Sequence, residues 1–154
     1  MIPGCKCIVV GSIKEIYYQK KVDAFLAQMK KRCMAQLISV PDESIPKQAS
    51  ELVCEKIKKV EGEKILSHIG SEDYVVALCI EGKAVSQEDI RKLYERAEQQ
   101  GKKQICFVIG GSLGLSHEVI QRSDAQISFS NMTFPHQLMR VMLLEVLEKL
   151  ICDM

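Results

Sequence analysis

The chain has 154 residues, of which 47% are hydrophobic and 27% charged, and its formal net charge is +1. These values are typical of a single soluble globular domain, which we assign to residues 1–154. The near-zero net charge excludes a protein that coats nucleic acid by bulk electrostatics, so any contact with RNA requires a local basic patch.

Apolar runs alternate with amphipathic segments along the chain. Strands are predicted at 6–10, 36–40, 74–80, 104–109 and 126–130. Helices are predicted at 15–34, 50–68 with an interruption at Gly62, 86–100 after a capping box of Ser86 and Asp89, 116–123, and 136–152. Residues 81–83 are predicted to form a polar loop. Strands that alternate with helices indicate an α/β domain with a largely parallel sheet.

The seven cysteines include no Cys-x-x-Cys pair, so neither a zinc site nor a thioredoxin-type redox pair has its ligand spacing. No metal is expected, and the scattered thiols indicate a reducing, cytoplasmic compartment. The first ten residues place no basic region ahead of a long apolar run, and no apolar window reaches the length of a membrane span. We therefore expect no contact with a membrane.

Three consecutive cations, Lys30, Lys31 and Arg32, close the first predicted helix. Cations at this position complement the negative end of the helix dipole, so the simpler interpretation is a solvated helix end. The alternative is a rim that contacts RNA phosphate. The sequence favours the solvated helix end.

A cluster of glycines at 110–114 follows the fourth predicted strand. Loops at the ends of parallel strands bind ligands in α/β proteins, and glycine lets the backbone approach a ligand closely. The cluster has neither the G-x-G-x-x-G spacing of a dinucleotide fold nor the Lys-Ser/Thr ending of a P-loop. The residues alone therefore favour an ordinary strand-to-helix turn over a phosphate site.

A second dense group, Pro135, His136 and Arg140, lies at the start of the last predicted helix. Proline is tolerated where a helix begins, and the positive end of the helix dipole disfavours an imidazolium at His136. Arg140 lies one turn later on the same face. A neutral imidazole beside a guanidinium suits anion binding or proton transfer, although a structural hydrogen bond of the histidine is equally common.

Three motifs, LCIEGK at 78–83, FVIGGSLGL at 107–115 and SFSNMTFPHQLMR at 128–140, resemble the RlmH family of ribosomal RNA large-subunit methyltransferases. The resemblance extends along nearly the whole chain. It implies a SPOUT-type fold, an α/β domain whose carboxy-terminal part forms a trefoil knot around S-adenosylmethionine. It also implies a homodimer with no DNA partner, which methylates the N3 nitrogen of a pseudouridine in large-subunit ribosomal RNA on the assembled ribosome.

The resemblance also assigns the cofactor-binding residues, whereas the catalytic candidates follow from the chemistry of the reaction. The proposed cofactor-binding residues are Leu78, Gly110 with Gly111, and the run Phe129, Ser130, Asn131, Met132, Thr133 and Phe134. Methylation at N3 requires loss of the N3 proton, and His136 and Glu81 are the candidate bases. Arg140 is the candidate for positioning a phosphate or the base.

The chain departs from the family pattern at two places. Cys79 stands where the family usually has an acid, and a Tyr-Arg-Ala sequence and a Tyr-His tail, expected to lie at the active site, are absent. One alternative is therefore a catalytically impaired homologue that binds the cofactor or docks on the ribosome. A flavodoxin-like nucleotide-binding domain is the other alternative, but it lacks a phosphate motif. An active methyltransferase remains the primary hypothesis.

Overall fold

The computed structural model describes residues 3–11, 15–84, 86–129 and 136–153, and their side chains except those of residues 80, 81, 83, 136 and 137. Strands and helices alternate, and each predicted element is present, with shifts of up to five residues at its ends. The elements are β1 (Gly4–Val10), α1 (Ile16–Met29), β2 (Ala35–Val40), α2 (Glu51–Leu66), β3 (Asp73–Ala84), α3 (Gln87–Gln99), β4 (Gln104–Ile109), α4 (His117–Arg122), β5 (Ala125–Ser128) and α5 (His136–Asp153).

The strands form one five-stranded parallel sheet in the order β2-β1-β4-β3-β5, which confirms the predicted parallel sheet. All carboxyl ends therefore meet at one edge of the sheet, near Val10, Val40 and Ile109, which we call the carboxyl edge. The opposite edge, near Gly4, Ala35 and Gln104, is the amino edge. The strand order differs from the 2-1-3-4-5 order of flavodoxin-like folds.

Helices cover both faces of the sheet. Side chains of α1, α3 and α5 share one apolar core with Val9 and Phe107. Side chains of α2 and α4 share a second core with Ile8 and Val108. Burial on both faces explains why residues 7–10 of β1 and 105–109 of β4 are continuous apolar runs instead of alternating patterns. In the part of the chain that the structure describes, no helix is long and apolar enough to cross a membrane.

The predicted interruption at Gly62 is wrong, because α2 continues through this residue. A Cβ atom at Gly62 would lie 2.2 Å from Ser116 Oγ and 3.0 Å from Ser116 Cβ. Ser116 is buried and caps α4 by accepting a hydrogen bond from the Val119 amide. Gly62 therefore lets α2 pack directly against the start of α4.

The predicted polar loop at 81–83 is also wrong, because β3 extends to Ala84. Leu78 and Lys83 both pair with Ile127 of β5, with a register shift between them. A Cβ atom at Gly82 would lie 2.7 Å from the Ile127 carbonyl carbon. Only glycine therefore allows β3 to pass this close to the backbone of β5. The polar residues therefore belong to an irregular strand that pairs twice with β5.

The predicted capping box at the start of α3 is confirmed. The Asp89 amide donates a hydrogen bond of 3.2 Å to Ser86 Oγ, and the Ser86 amide donates one of 2.9 Å to Asp89 Oδ2. Asp therefore replaces the usual Glu or Gln of this motif without loss of the reciprocal bonds.

Candidate functional site

Three of the predicted site segments meet at the carboxyl edge. Leu78 pairs with Ile109 of β4 on one side and with Ile127 of β5 on the other. Gly110 follows Ile109 directly, and Phe129 follows the end of β5. Because neighbouring strands lie about 4.8 Å apart, the sheet brings Leu78, Gly110 and Phe129 into adjacent positions. Leu78 is buried, and Phe129 packs against the apolar core that α1, α3 and α5 share, so this part of the edge is apolar.

The glycine loop folds back on itself. Gly111 and Gly114 form an isolated antiparallel bridge, in which the Gly114 amide donates a hydrogen bond of 3.0 Å to the Gly111 carbonyl. Gly114 has a φ of +90°, in the region that favours glycine. A Cβ atom at Gly110 would lie 2.8 Å from the Gly114 carbonyl carbon. The closed turn therefore accounts for glycine at Gly110 and Gly114 without reference to a ligand.

A buried carboxylate, which the sequence analysis did not single out, lies against this loop. Glu61 of α2 is only 5% exposed, and its Oε2 accepts a hydrogen bond of 2.9 Å from the Glu43 amide. A Cβ atom at Gly111 would lie 3.2 Å from Glu61 Oε1. Glu61 therefore links the segment after β2 to the glycine loop. The sequence signal that could have pointed to Glu61 is its position directly before Gly62 within a predicted helix.

Arg140 of α5 also reaches the carboxyl edge. Its side chain is 2% exposed, and Nη2 donates a hydrogen bond to the carbonyl of Val10 at the end of β1. Among the described residues, Nε and Nη1 have no hydrogen-bond partner. Burial lowers the pKa of the Arg140 guanidinium, and the nearby Asp42 carboxylate opposes this shift. The arrangement therefore leaves three buried N–H donors, one on Nε and two on Nη1, without an acceptor among the described residues.

The remaining predicted site residues lie outside the described part of the structure. They are the run from Ser130 to Phe134 and the side chains of Glu81 and His136. Glu81 lies within β3, and His136 is the first residue of α5. Among the described residues, no group of three or more His, Cys, Asp or Glu side chains is placed to hold a metal ion.

Comparison with known proteins identifies the family. The family described as "Predicted SPOUT methyltransferase" matches residues 4–149. The chain is 46% identical over 138 residues to ribosomal RNA large subunit methyltransferase H of Clostridioides difficile (strain 630), covering 90% of this chain and 87% of that protein. It is 48% identical over 140 residues to the protein of the same name from Lactococcus lactis subsp. lactis (strain IL1403), covering 91% and 88%.

The chain belongs to the RlmH family of SPOUT methyltransferases. A crystal structure of a probable methyltransferase from Bordetella pertussis Tohama I agrees with this assignment at the level of the fold, with a TM-score of 0.57, 12% sequence identity, and coverage of 96% of this chain and 93% of that chain.

Membership of the RlmH family confirms the predicted SPOUT-type α/β fold. The strand order and the family together leave no support for the flavodoxin-like alternative. The trefoil knot itself stays a prediction.

Proposed function

We propose that this RlmH-family chain transfers a methyl group from S-adenosylmethionine to the N3 nitrogen of a pseudouridine in large-subunit ribosomal RNA, on the assembled ribosome in the cytoplasm. The RNA class is supported by the name of the relatives, ribosomal RNA large subunit methyltransferase H. The observation that carries the proposal is the convergence of Leu78, Gly110 and Phe129 at the carboxyl edge.

The described residues fit the chemistry of this cofactor. S-adenosylmethionine would supply a methyl group bound to a positively charged sulfur. Leu78 and Phe129 offer apolar walls for an adenosine ring, and the glycine loop offers backbone donors and acceptors. The buried Nε and Nη1 groups of Arg140 offer donors for an anionic or carbonyl oxygen. Apolar walls with a few fixed polar groups are typical of sites that bind such a ligand.

We assign the remaining steps to residues of the same edge. The N3 proton of the pseudouridine must leave before or during methyl transfer, and His136 or Glu81 would accept it. At the start of α5 the helix dipole favours a neutral imidazole, which is the form of His136 that accepts a proton. Arg140 would position a phosphate or the base oxygen with its Nε and Nη1 donors, so that the nucleophile, methyl group and sulfur are aligned.

Methyl-labelled cofactor and ribosomes that lack this modification test the proposal. We expect label in the large-subunit RNA with the unchanged protein, and at least about 100-fold slower labelling with His136→Ala if His136 is the base. The variant His68→Ala is the matched control, because His68 is an exposed histidine outside the carboxyl edge.

The outcomes separate the remaining hypotheses. Calorimetric binding of S-adenosylmethionine without label in the RNA would support the impaired homologue instead of the enzyme. Label at full rate in His136→Ala would transfer the role of base to Glu81, which Glu81→Gln then tests.

A further inference from the structure

A groove of about 560 Å³ opens at the amino edge, at the opposite end of the sheet from the candidate site. It is formed by the end of α1, the turn into β2 and the first residue of β4. Its lining includes Lys30, Lys31, Arg32, Met34 and Gln104. The described residues that line it include three cations and no carboxylate, which is the charge pattern of a surface that receives anions.

The three cations are held on an ordered turn. The Lys30 amide donates a hydrogen bond of 2.9 Å to the Leu26 carbonyl, and the Arg32 amide donates one of 2.9 Å to the Met29 carbonyl. Arg32 Nη2 also donates a hydrogen bond of 3.0 Å to the Cys152 carbonyl of α5. The negative end of the α1 dipole amounts to about half a charge, so the two positive charges of Lys30 and Lys31 leave the rim positive.

The lysines of the described residues differ in whether a carboxylate pairs with them. Lys6 and Lys64 each form an ion pair with a carboxylate at 2.9 Å. Within the described ranges, no ion pair involves Lys30 or Lys31, and both are exposed. Two further lysines, 102 and 103, directly precede the Gln104 that lines the groove. This local excess of positive charge exists in a chain with a net charge of only +1.

We propose that this groove binds backbone phosphate of ribosomal RNA as a docking contact remote from the reacting base. This inference rests on the proposed function and replaces the solvated helix end that the sequence favoured. The six residues of β4 span about 20 Å between the two edges, so within one chain the bound phosphate is not that of a nucleotide at the carboxyl edge. The contact therefore requires an RNA large enough to reach both edges, as the ribosome is.

The salt dependence of ribosome binding tests this docking contact. We would compare the unchanged protein with the double variant Lys30→Gln, Lys31→Gln, measuring affinity for large ribosomal subunits by sedimentation at several KCl concentrations and fixed Mg²⁺. Each lost phosphate contact lowers the slope of log affinity against log salt by about 1, so we expect a slope less steep by about 2. At about 0.15 M salt we expect binding to weaken roughly tenfold.

The matched control is the double variant Lys56→Gln, Lys59→Gln, which removes two exposed lysines of α2 on the other face of the sheet. Its salt slope should equal that of the unchanged protein, and S-adenosylmethionine affinity should be equal in all three proteins. Equal slopes for the two double variants would overturn the proposal, as would an unchanged protein that does not bind the subunits. If the slopes differ but the RNA gains no label, the methyltransferase proposal fails and the docking contact stands.

Discussion

Arg140 is a buried arginine whose hydrogen bonds are incomplete within the described part of the chain. One of its donors satisfies the Val10 carbonyl, while Nε and Nη1 have no partner among the described residues. A buried cation with unpaired donors lowers the stability of the folded protein, and such costs are typical of binding sites. Substitution of Arg140 should therefore lower the activity of the protein far more than its stability.

We predict that Arg140→Met lowers methyl transfer by about 100-fold or more and changes the free energy of unfolding by no more than about 1 kcal/mol. Arg140→Lys keeps the charge but not the planar fork, so it should recover only part of the activity. Labelling assays and urea unfolding measure the two effects. A loss of several kcal/mol in stability with near-normal kinetics per folded molecule would make Arg140 a purely structural residue.

Cys106 gives a prediction about pH. This thiol of β4 is fully buried, and burial raises its pKa from 9.0 to about 12, while the positive charge of Lys6 opposes the shift. The folded state therefore keeps its proton where the unfolded state has lost it. The stability that this thiol contributes is complete below about pH 9 and is lost as the pH rises toward 12.

We predict that Cys106→Val reduces the loss of unfolding free energy between pH 8 and pH 10.5 by about 1–2 kcal/mol. Urea unfolding at the two pH values measures the difference for each protein. Cys54→Val is the control, because it removes a thiol that is only half-buried. If the free energy of unfolding depends equally on pH in the unchanged protein and in Cys106→Val, the raised pKa of Cys106 is contradicted.

The packing of α2 on α4 depends on the absence of one side chain. Alanine is a better helix former than glycine by about 1 kcal/mol, so Gly62→Ala would stabilise an exposed helix. Here the new Cβ atom would lie 2.2 Å from Ser116 Oγ, which is fixed by its hydrogen bond to the Val119 amide. The steric conflict outweighs the gain in helix propensity.

We predict that Gly62→Ala destabilises the protein by about 1–3 kcal/mol, measured by urea unfolding. Adding Ser116→Gly to Gly62→Ala should recover part of the loss, because it removes both conflicting atoms. Leu52→Ala serves as a control on the same helix, since Leu52 is 67% exposed. Equal stability of Gly62→Ala and the unchanged protein would mean that α2 moves away from Ser116 without loss of free energy.

The elements were predictable from the sequence because hydrophobic periodicity and end signals are local. The capping box of Ser86 and Asp89 is such a signal, and the structure confirms it. The two errors, at Gly62 and at 81–83, arise because glycine and polar residues usually mark breaks. At both places glycine instead allows a close contact with a residue distant in sequence, Ser116 for Gly62 and Ile127 for Gly82. No local sequence pattern reveals such a contact.

The candidate site was only partly predictable at the scale of the whole molecule. Leu78, Gly110 and Phe129 were named from the resemblance to the RlmH family, and the strand order then places them together. The contact between Arg140 and Val10 joins residues 130 positions apart, so no sequence window contains it. Glu61 escaped notice because one acid among the polar residues of a helix looks like a solvent-facing position.

The proposed homodimer is also a property of the whole molecule. The apolar stripe of α5 was one sequence reason to expect a dimer. Its residues Val141, Leu144 and Leu147 are buried within the single chain, and Leu138 and Met142 are half-buried, so most of this stripe is core and gives little support for a dimer. The start of α1 does present apolar surface, with Ile16 73% and Tyr17 65% exposed. We predict a light-scattering mass of two chains, reduced toward one by Tyr17→Glu. A one-chain mass for the unchanged protein would count against a site shared between subunits.

The order of the strands has a consequence for how the chain is made. β1 lies between β2 and β4, so one of its two neighbours is synthesised only after the first hundred residues. Until then, the apolar run around Ile8 and Val9 has an open edge, which other chains are able to join. Pairing of strands this far apart in the chain slows folding, because the long intervening segment must close before the contacts form. The yield of native protein should therefore rise when the chain is synthesised more slowly and at a lower concentration.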